Sequence, residues 1–300
     1  MLELTLAIVG TMVMLAEAAD EIFSCNMLFE FYRRHFCVLL AAILLIAVVT
    51  KWDLLEFSTK VAHAPDVSVV LKVCDALRNK GAVIIPTNTT FDTLMEDDFI
   101  SEGSLQGQYQ TRYFRNSRSE LDALIERGLR QKSYDLLHDG RTTKGRRYPI
   151  GTLCRVSTSK KRAYLLADSD INERGVPIDV SAQNVSLALS RLWDSLIEEG
   201  NREPYSIPLI CTGRAGVRDA SRDDVVKEIV VSFLAATHRQ KFTERLVICI
   251  HPADYEKVSW DELCKFIDYK CQLSQERVVA ESASGYIQVS NSSKKGQQDG

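Results

Sequence analysis

Short apolar runs alternate with longer amphipathic patterns from about residue 66 onward. The apolar runs are 67–73, 82–86, 151–156, 163–167, 205–211 and 245–250. They are short and rich in β-branched residues, which predicts buried strands. Between them, 181–199 and 219–238 repeat apolar residues at the helical spacing, and Ser221 with Asp224 predicts a capping box for the second helix. Such alternation is typical of a largely parallel sheet packed between helical layers.

The first sixty residues have a different pattern. Residues 36–50 contain no charged side chain and show no polar face. As a helix they would cover about 22 Å, which is less than the ~30 Å core of a bilayer. Aromatic and cationic residues on both sides are the anchors expected at the two membrane interfaces, and they extend the segment to 32–52. A core helix would carry a polar face and a signal peptide a small-residue cleavage site, so the segment predicts a membrane span.

A second apolar run, 4–16, precedes this span and admits two interpretations. It is either the first arm of a helical hairpin or an amphipathic segment that lies on the membrane. The orientation also stays open. The Arg33–Arg34 pair favours a cytoplasmic location for that end of the span, whereas a cytosolic C-terminal domain requires the opposite.

The chain therefore divides into three predicted parts. A membrane segment with one or two transmembrane helices covers 1–60, and the α/β domain covers 66–275. The tail at 276–300 is small and polar, which predicts disorder.

Composition narrows the function of the domain. The formal net charge of −3 gives no reason to expect nucleic acid as the main partner. The eight cysteines are scattered, most of them within apolar runs, and none form a C-x-x-C pair. This favours reduced cysteines in a cytosolic domain over a disulfide framework or a metal site. We therefore expect neither a metal nor a cofactor.

A run of small polar residues follows the strand at 82–86, in the stretch "GAVIIPTNTTFDT". Asn88 and Asp92 belong to this run, which continues into a loop that contains Gly103 and Gly107. In open parallel sheets, ligands bind outside the carboxyl ends of the strands. The polar groups are therefore either one wall of a ligand pocket or caps of a turn.

Two more segments follow strands. In "PLICTGRAGVRDA", Gly213 and Gly216 lie between a strand and the capped helix. Glycines allow close backbone approach, and a helix start presents free N–H groups, which together suit a diphosphate. Asp75 directly follows the first strand, where a carboxylate can accept hydrogen bonds from an adenine amino group or a ribose hydroxyl. The basic loop at 141–149 is predicted to be a solvated surface.

Taken together and in this order, "VIIPTNTTFDT", "GSLQGQY", "YPIGTL", "AYLLA" and "IPLICTGRAG" resemble the macro domain of the Thoeris A effector proteins. The similarity runs from about Asp66 to Tyr269. It implies a macro-domain-like α/β/α sandwich with a mixed, largely parallel sheet, preceded by N-terminal transmembrane helices. It also implies a pocket for ADP-ribose-like ligands.

The resemblance further implies a role in bacterial defence against phage. A partner TIR-domain protein would make a histidine conjugate of ADP-ribose, and the macro domain would bind this signal without catalysis. The effector would then form a homo-oligomer and disrupt the membrane lipid of the bacterial inner membrane, with its macro domain in the cytoplasm. The alternatives are a membrane-tethered ADP-ribosyl hydrolase of macro type, with Asn88 and Asp92 as candidate groups, and a scaffold with a degenerate pocket.

The resemblance also implies binding residues, position by position. Asp75 matches the adenine contact, and Asn88 lies beside the distal ribose, with Phe91 and Asp92 following in the same motif. The first ligand loop is Gly103, Ser104, Leu105, Gln106 and Gly107. The diphosphate loop is Thr212, Gly213, Arg214, Ala215 and Gly216. Two positions depart from the family pattern, since Cys74 replaces a glycine and Gln106 replaces an expected histidine.

Overall fold

The structure is a computed structural model that describes part of the chain. The described residues are 34, 55–95, 100–115, 117–137, 144–171, 177–178, 180–199, 202–211 and 219–273. Apart from Arg34, the span predicted at 32–52 lies outside these ranges, as do the apolar run at 4–16 and the tail at 276–300. Within the described ranges, every helix is too short or too polar to span a bilayer.

The described residues form ten strands and five α-helices. The strands are β1 Glu56–Val61, β2 Ala64–Val73, β3 Ala82–Asn88, β4 Asp135–Leu136, β5 Arg146–Arg147, β6 Leu153–Ser157, β7 Arg162–Ile171, β8 Pro177–Ile178, β9 Tyr205–Pro208 and β10 Arg245–Ile250. The helices are α1 Leu105–Tyr113, α2 Arg118–Leu129, α3 Ala182–Glu199, α4 Arg222–Arg239 and α5 at 260–273. Short 3-10 turns lie at Ala76–Arg78 and Pro252–Lys257.

Eight of these strands form one mixed sheet in the order β1-β2-β10-β9-β3-β7-β6, with β8 paired to β7. The pairs β2–β10, β10–β9, β9–β3 and β3–β7 are parallel, while β6 and β8 run antiparallel to β7. The strands β4 and β5 form a separate hairpin. The expectation of a mixed, largely parallel sheet is confirmed.

Helices cover both faces of the sheet. Side chains of β3 alternate between the two faces, as the period of a strand requires. Val83 and Ile85 pack with Tyr109 of α1 in one buried cluster, whereas Ile84 packs with Trp193 of α3 in the other. The first cluster also holds α2, and the second holds α4 and α5. This is the predicted α/β/α sandwich.

The capping box predicted for α4 is confirmed. The Ser221 hydroxyl accepts a hydrogen bond from the Asp224 N–H at 3.2 Å, and the Ser221 N–H donates to the Asp224 carboxylate at 2.9 Å. Two N–H groups that the helix cannot satisfy internally therefore have partners. The start of α4 is fixed directly after the segment at 212–218.

Several elements differ from the sequence prediction. The strand β1 belongs to the sheet, so residues 56–60 of the predicted membrane segment lie in the α/β fold. The helices α1, α2 and α5 were not predicted. For α1 the reason is visible in its buried face, which consists largely of Gln106, Tyr109 and Gln110. A face of this kind gives little of the apolar periodicity that identifies a helix in sequence.

Two leucines of α3 test the packing of this layer. Leu189 is 0% exposed and Leu187 is 39% exposed. We expect Leu189→Ala to lower the free energy of unfolding by about 2–5 kcal/mol, because it leaves a cavity. The matched Leu187→Ala should change it by less than about 0.5 kcal/mol. Urea unfolding measures both, and equal losses would contradict the assignment of the buried face.

Candidate functional site

The carboxyl ends of β3, β7 and β9 lie at one edge of the sheet, because β3 is parallel to both of its neighbours. At this edge Asn88 lies opposite Ser169 of β7, and the Thr89 N–H donates to the Ser169 carbonyl oxygen at 2.9 Å. Loops that follow different strands therefore converge here. This is where an open sheet of parallel strands offers a ligand its crevice.

Asn88 organises the loop that follows β3. Its Oδ1 accepts hydrogen bonds from the Asp92 N–H at 3.1 Å and from the Thr90 hydroxyl at 3.0 Å. Because a backbone N–H can only donate, these contacts fix which end of the amide is oxygen. The side chain is 6% exposed, and its Nδ2 donates to no described residue. The amide group thus holds the loop with one end and keeps two N–H donors at the other.

Phe91 adopts a left-handed backbone conformation with φ of 52°. This conformation costs a non-glycine residue on the order of 1 kcal/mol or more and persists only where the surroundings hold it. The ring is buried edge-on against Tyr148 at 5.4 Å between centroids, and the Lys144 ammonium donates to the Phe91 carbonyl oxygen at 2.7 Å. The buried Phe91 ring therefore anchors the turn.

Asp92 and Gln106 connect the loop after β3 to the start of α1. Asp92 is 1% exposed, and its carboxylate accepts a short hydrogen bond from the Thr90 hydroxyl. The buried Gln106 side chain donates from Nε2 to the Asp92 carbonyl oxygen at 2.7 Å. Gln106, where the resemblance leads us to expect histidine, thus contacts the protein backbone.

The segment predicted as the first ligand loop is largely the start of a helix. Ser104 is the N-cap of α1, where its hydroxyl accepts from the Gly107 N–H at 3.0 Å and donates to the Ser101 carbonyl oxygen at 2.6 Å. Leu105, Gln106 and Gly107 form the first helical turn, so only Gly103 and Ser104 precede the helix. A helix start presents N–H groups that favour anions.

Gly107 is required by the close approach of the preceding loop. A Cβ atom at this position would lie 2.3 Å from the Ser101 carbonyl oxygen and 2.8 Å from the Glu102 Cα. Both contacts involve backbone atoms, which cannot move aside cheaply. At Gly103 the nearest atom to a Cβ would be the Ser101 Oγ at 3.8 Å. The two glycines of this segment therefore have different roles.

Asp75 is already engaged by three groups of the protein, one of which is the Arg78 guanidinium at 3.5 Å from Oδ2. Its Oδ1 accepts from the Leu77 N–H at 2.9 Å, which caps the short 3-10 turn after β2. Its Oδ2 accepts from the Arg112 guanidinium at 3.0 Å. A ligand amino group at Asp75 would therefore share the carboxylate with Arg112.

The predicted diphosphate loop, Thr212 to Gly216, lies outside the described residues, but its entry does not. Cys211 follows β9 with φ of 58°, and its N–H donates to the Asp168 carboxylate at 3.0 Å. The Cys211 thiol also lies 3.3 Å from that carboxylate. Asp168 thus fixes the point from which this loop leaves the sheet.

Burial governs the charge of this carboxyl group. Asp168 lies near the end of β7, and desolvation raises its pKa to about 6, although the hydrogen bonds from Cys211 act in the opposite direction. Desolvation also raises the pKa of the Cys211 thiol, and the negative charge of the Asp168 carboxylate raises it further. The six described cysteines are free thiols. Among the described residues no cluster of histidine, cysteine, aspartate or glutamate is suited to a metal ion.

Sequence reasoning missed Asp168 and also Asp170. The buried Asp170 accepts from the Thr89 hydroxyl at 2.8 Å and forms an ion pair with Arg147 of β5. The basic loop is therefore more than the solvated surface that was predicted, since Lys144 and Arg147 both hold the edge in place. The only signal in sequence was the presence of two aspartates at the end of an apolar strand.

A family comparison adds to this geometry. Residues 69–251 match the model of the family described as Thoeris protein ThsA, macro domain. The match covers more than half of the chain and includes all the site residues above. The chain belongs to this family. No curated protein sequence matches the chain significantly.

Solved macro domains also match the chain, at low sequence identity. The macrodomain of Oceanobacillus iheyensis with ADP is 10% identical, with a TM-score of 0.47 over 74% of this chain and 97% of that one. The same macrodomain with MES bound is 11% identical, with a TM-score of 0.48 over 72% of this chain and 98% of that one. The Trypanosoma brucei macrodomain in complex with ADP is 10% identical, with a TM-score of 0.38 over 68% of each chain.

The glycines of the α1 segment give a first test of the site. We expect Gly107→Ala to destabilise the macro domain by about 1–3 kcal/mol, because the added methyl group meets backbone atoms. The matched Gly103→Ala should change stability by less than about 0.5 kcal/mol. Thermal unfolding of the two variants measures this difference, and equal melting temperatures would refute the close approach at Gly107.

The buried Asp168 gives a second test, through pH. Its folded pKa of about 6 exceeds the ordinary value of 3.8, so its contribution to stability is full below the ordinary value and is lost as the pH rises through about 6. Asp168→Asn keeps an acceptor for Cys211 but does not titrate. Relative to the unaltered protein, its free energy of unfolding should rise by on the order of 2 kcal/mol between about pH 4 and pH 7.

The control for this titration is Asp66→Asn. A hydrogen bond from Lys241 at 2.8 Å lowers the pKa of Asp66, so its contribution is lost only as the pH falls, which is the opposite sign. Urea unfolding across the pH range measures both variants. A difference between Asp168→Asn and the unaltered protein that does not change with pH would contradict the assignment.

Proposed function

We propose that this protein is a membrane-anchored sensor of bacterial anti-phage defence whose macro domain binds an ADP-ribose-derived signal. The signal is a histidine conjugate of ADP-ribose made by a TIR-domain protein. The observation that carries the proposal is Asn88, whose oxygen is used within the protein while its two N–H donors remain for a ligand. Membership of the ThsA macro domain family supports the ligand class.

The chemistry of the edge suits the parts of such a ligand. Ribose hydroxyls accept hydrogen bonds from amide N–H groups such as those of Asn88. The N-terminus of α1, capped by Ser104, favours a negatively charged group near the first turn. Asp75 offers an acceptor for an adenine amino group, provided that Arg112 shares it. Cys211 begins the loop assigned to the diphosphate.

We propose binding without catalysis, because the best acidic group for hydrolysis is committed to the fold. A general acid or base must reach the reacting atoms or a water beside them. Asp92 is 1% exposed and accepts a hydrogen bond from the Thr90 hydroxyl. This favours a structural role for Asp92 and a sensor over an ADP-ribosyl hydrolase.

The output of the sensor is assembly in the membrane. A ligand changes a protein only by binding one state better than another, and association of ligand-bound macro domains is the two-state element that we propose. Segments before residue 56 would then pack together and disrupt the inner membrane of the bacterium, with the macro domain in the cytoplasm. The segments that would carry out this step lie outside the described residues.

Calorimetry on the full-length protein in detergent tests the proposal. The histidine conjugate of ADP-ribose should bind saturably, and Asn88→Ala should weaken binding at least about tenfold, because the ligand loses its amide donors. The matched control is Gln183→Ala, which removes an exposed amide from α3. This helix covers the face of the sheet opposite to α1. Thermal unfolding verifies that both variants are folded.

Three outcomes would contradict parts of this proposal. Absence of binding by any ADP-ribose derivative would indicate a scaffold with a degenerate pocket. Binding with no change of molecular size would exclude assembly, which we expect with the histidine conjugate and not with ADP-ribose alone. Release of free ADP-ribose from a modified protein, abolished by Asp92→Ala, would indicate a hydrolase.

A further inference from the structure

A second feature of the macro domain lies beside Asp75, at one end of the candidate nucleotide site. An open cleft of about 520 Å³ is formed by the 3-10 turn after β2, the last turn of α1 and the turn between β6 and β7. Lys160 and Lys161 directly precede β7, so they lie at the amino ends of the parallel strands, whereas Asn88 lies at a carboxyl end. Neither Asn88 nor the start of α1 lines the cleft. The two sites are adjacent only at Asp75, whose carboxylate pairs with Arg78 and Arg112 of the cleft.

Lys161 lines this cleft, and none of the described carboxylates forms an ion pair with its ammonium group. The residue is 7% exposed, and its ammonium donates a short hydrogen bond to the Asn79 carbonyl oxygen. Burial lowers the pKa of Lys161, although the charges of Asp75 and Glu203 act in the opposite direction, and the net lowering reflects the cost of holding the cation there. A buried cation is costly unless an opposite charge accompanies it.

The rim of the cleft adds three more cations. Arg78 and Arg112 share a single carboxylate oxygen, the Asp75 Oδ2, at 3.5 and 3.0 Å. Arg78 is 82% exposed along its side chain, and Lys160 is exposed with no ion pair to a described residue. Four cationic side chains thus line the cleft, and only Arg78 and Arg112 form ion pairs with a carboxylate of the described residues. This excess is local, since the whole chain has a net charge of −3.

We propose that this cleft binds a phosphate group, either of a free diphosphate or of an acidic lipid headgroup. A compact ammonium and planar guanidinium groups together match phosphate oxygens, because the first acts as a point charge and the second can bond to two oxygens at once. A phosphate group would supply the counter-charge that Lys161 lacks. The inference does not depend on the proposed nucleotide signal.

Calorimetry with inorganic pyrophosphate tests the cleft in the full-length protein at fixed ionic strength. We expect saturable binding that weakens with added salt. The double variant Arg78→Gln, Lys160→Gln should weaken it by roughly fivefold or more, because two charge-assisted contacts are lost. Both side chains are exposed, so the fold should be unaffected. Lys161→Met removes the buried charge and keeps a side chain of similar volume. Its melting temperature verifies that the variant is folded.

The matched control is Arg127→Gln, Arg130→Gln, which removes two exposed cations from the end of α2. It should change the affinity for pyrophosphate by less than about twofold, since screened charges at a distance contribute little. Equal losses in the two double variants would show a general charge effect and overturn the site. No saturable binding would overturn it as well.

Two further measurements separate this site from others and identify the source of the phosphate. Asn88→Ala should leave the affinity for pyrophosphate unchanged. A loss of affinity in this variant would place the anion at the nucleotide site and refute binding in the cleft. Glycerol phosphate represents the lipid headgroup in solution. Tighter binding of glycerol phosphate would support a lipid source, and tighter binding of pyrophosphate would support a free diphosphate.

Discussion

Parallel pairing of β3 with both of its neighbours is the constraint on which the candidate site depends. Val83 lies opposite Ala163 of β7, and this register continues to Thr87 opposite Ala167, after which it shifts by one residue so that Asn88 lies opposite Ser169. Because the strands run in one direction, Asn88, Asp168 and Cys211 meet at one edge although they are distant in sequence. A slip of one residue would turn each of these side chains to the opposite face. The register is held by the two apolar clusters, one on each face of the sheet.

The loops that follow β3 and β9 at this edge of the sheet are held in the same way. Phe91 and Cys211 each adopt a left-handed backbone conformation that a side chain disfavours. Each is held by a buried or partly buried charged group, since Lys144 contacts the Phe91 carbonyl oxygen and Asp168 contacts the Cys211 N–H. Strained backbone of this kind is common at ligand sites, where it presents a surface already in its binding geometry. A ligand that meets such loops loses less free energy to ordering them.

Charge is distributed differently in the two proposed sites. At the carboxyl edge, Asp92, Asp168 and Asp170 are buried and bonded within the protein. An anionic ligand there would rely on backbone N–H groups and the start of α1. In the cleft beside the 3-10 turn, side-chain cations such as Lys161 would carry the interaction. Asp75 connects the two regions, because it caps that turn and pairs with Arg112.

Sequence by itself determined the elements whose apolar pattern is local. The helices α3 and α4, the capping box at Ser221 and six strands all follow from short-range periodicity and spacing; these strands are β2, β3, β6, β7, β9 and β10. The family follows from motifs around Asn88. Tertiary structure alone decided α1, because its buried face includes the polar residues Gln106 and Gln110. It also decided that Gln106 holds a loop and that Asp168 controls Cys211, a contact across 43 residues. Such roles depend on which strands become neighbours, and no local pattern in the chain encodes that choice.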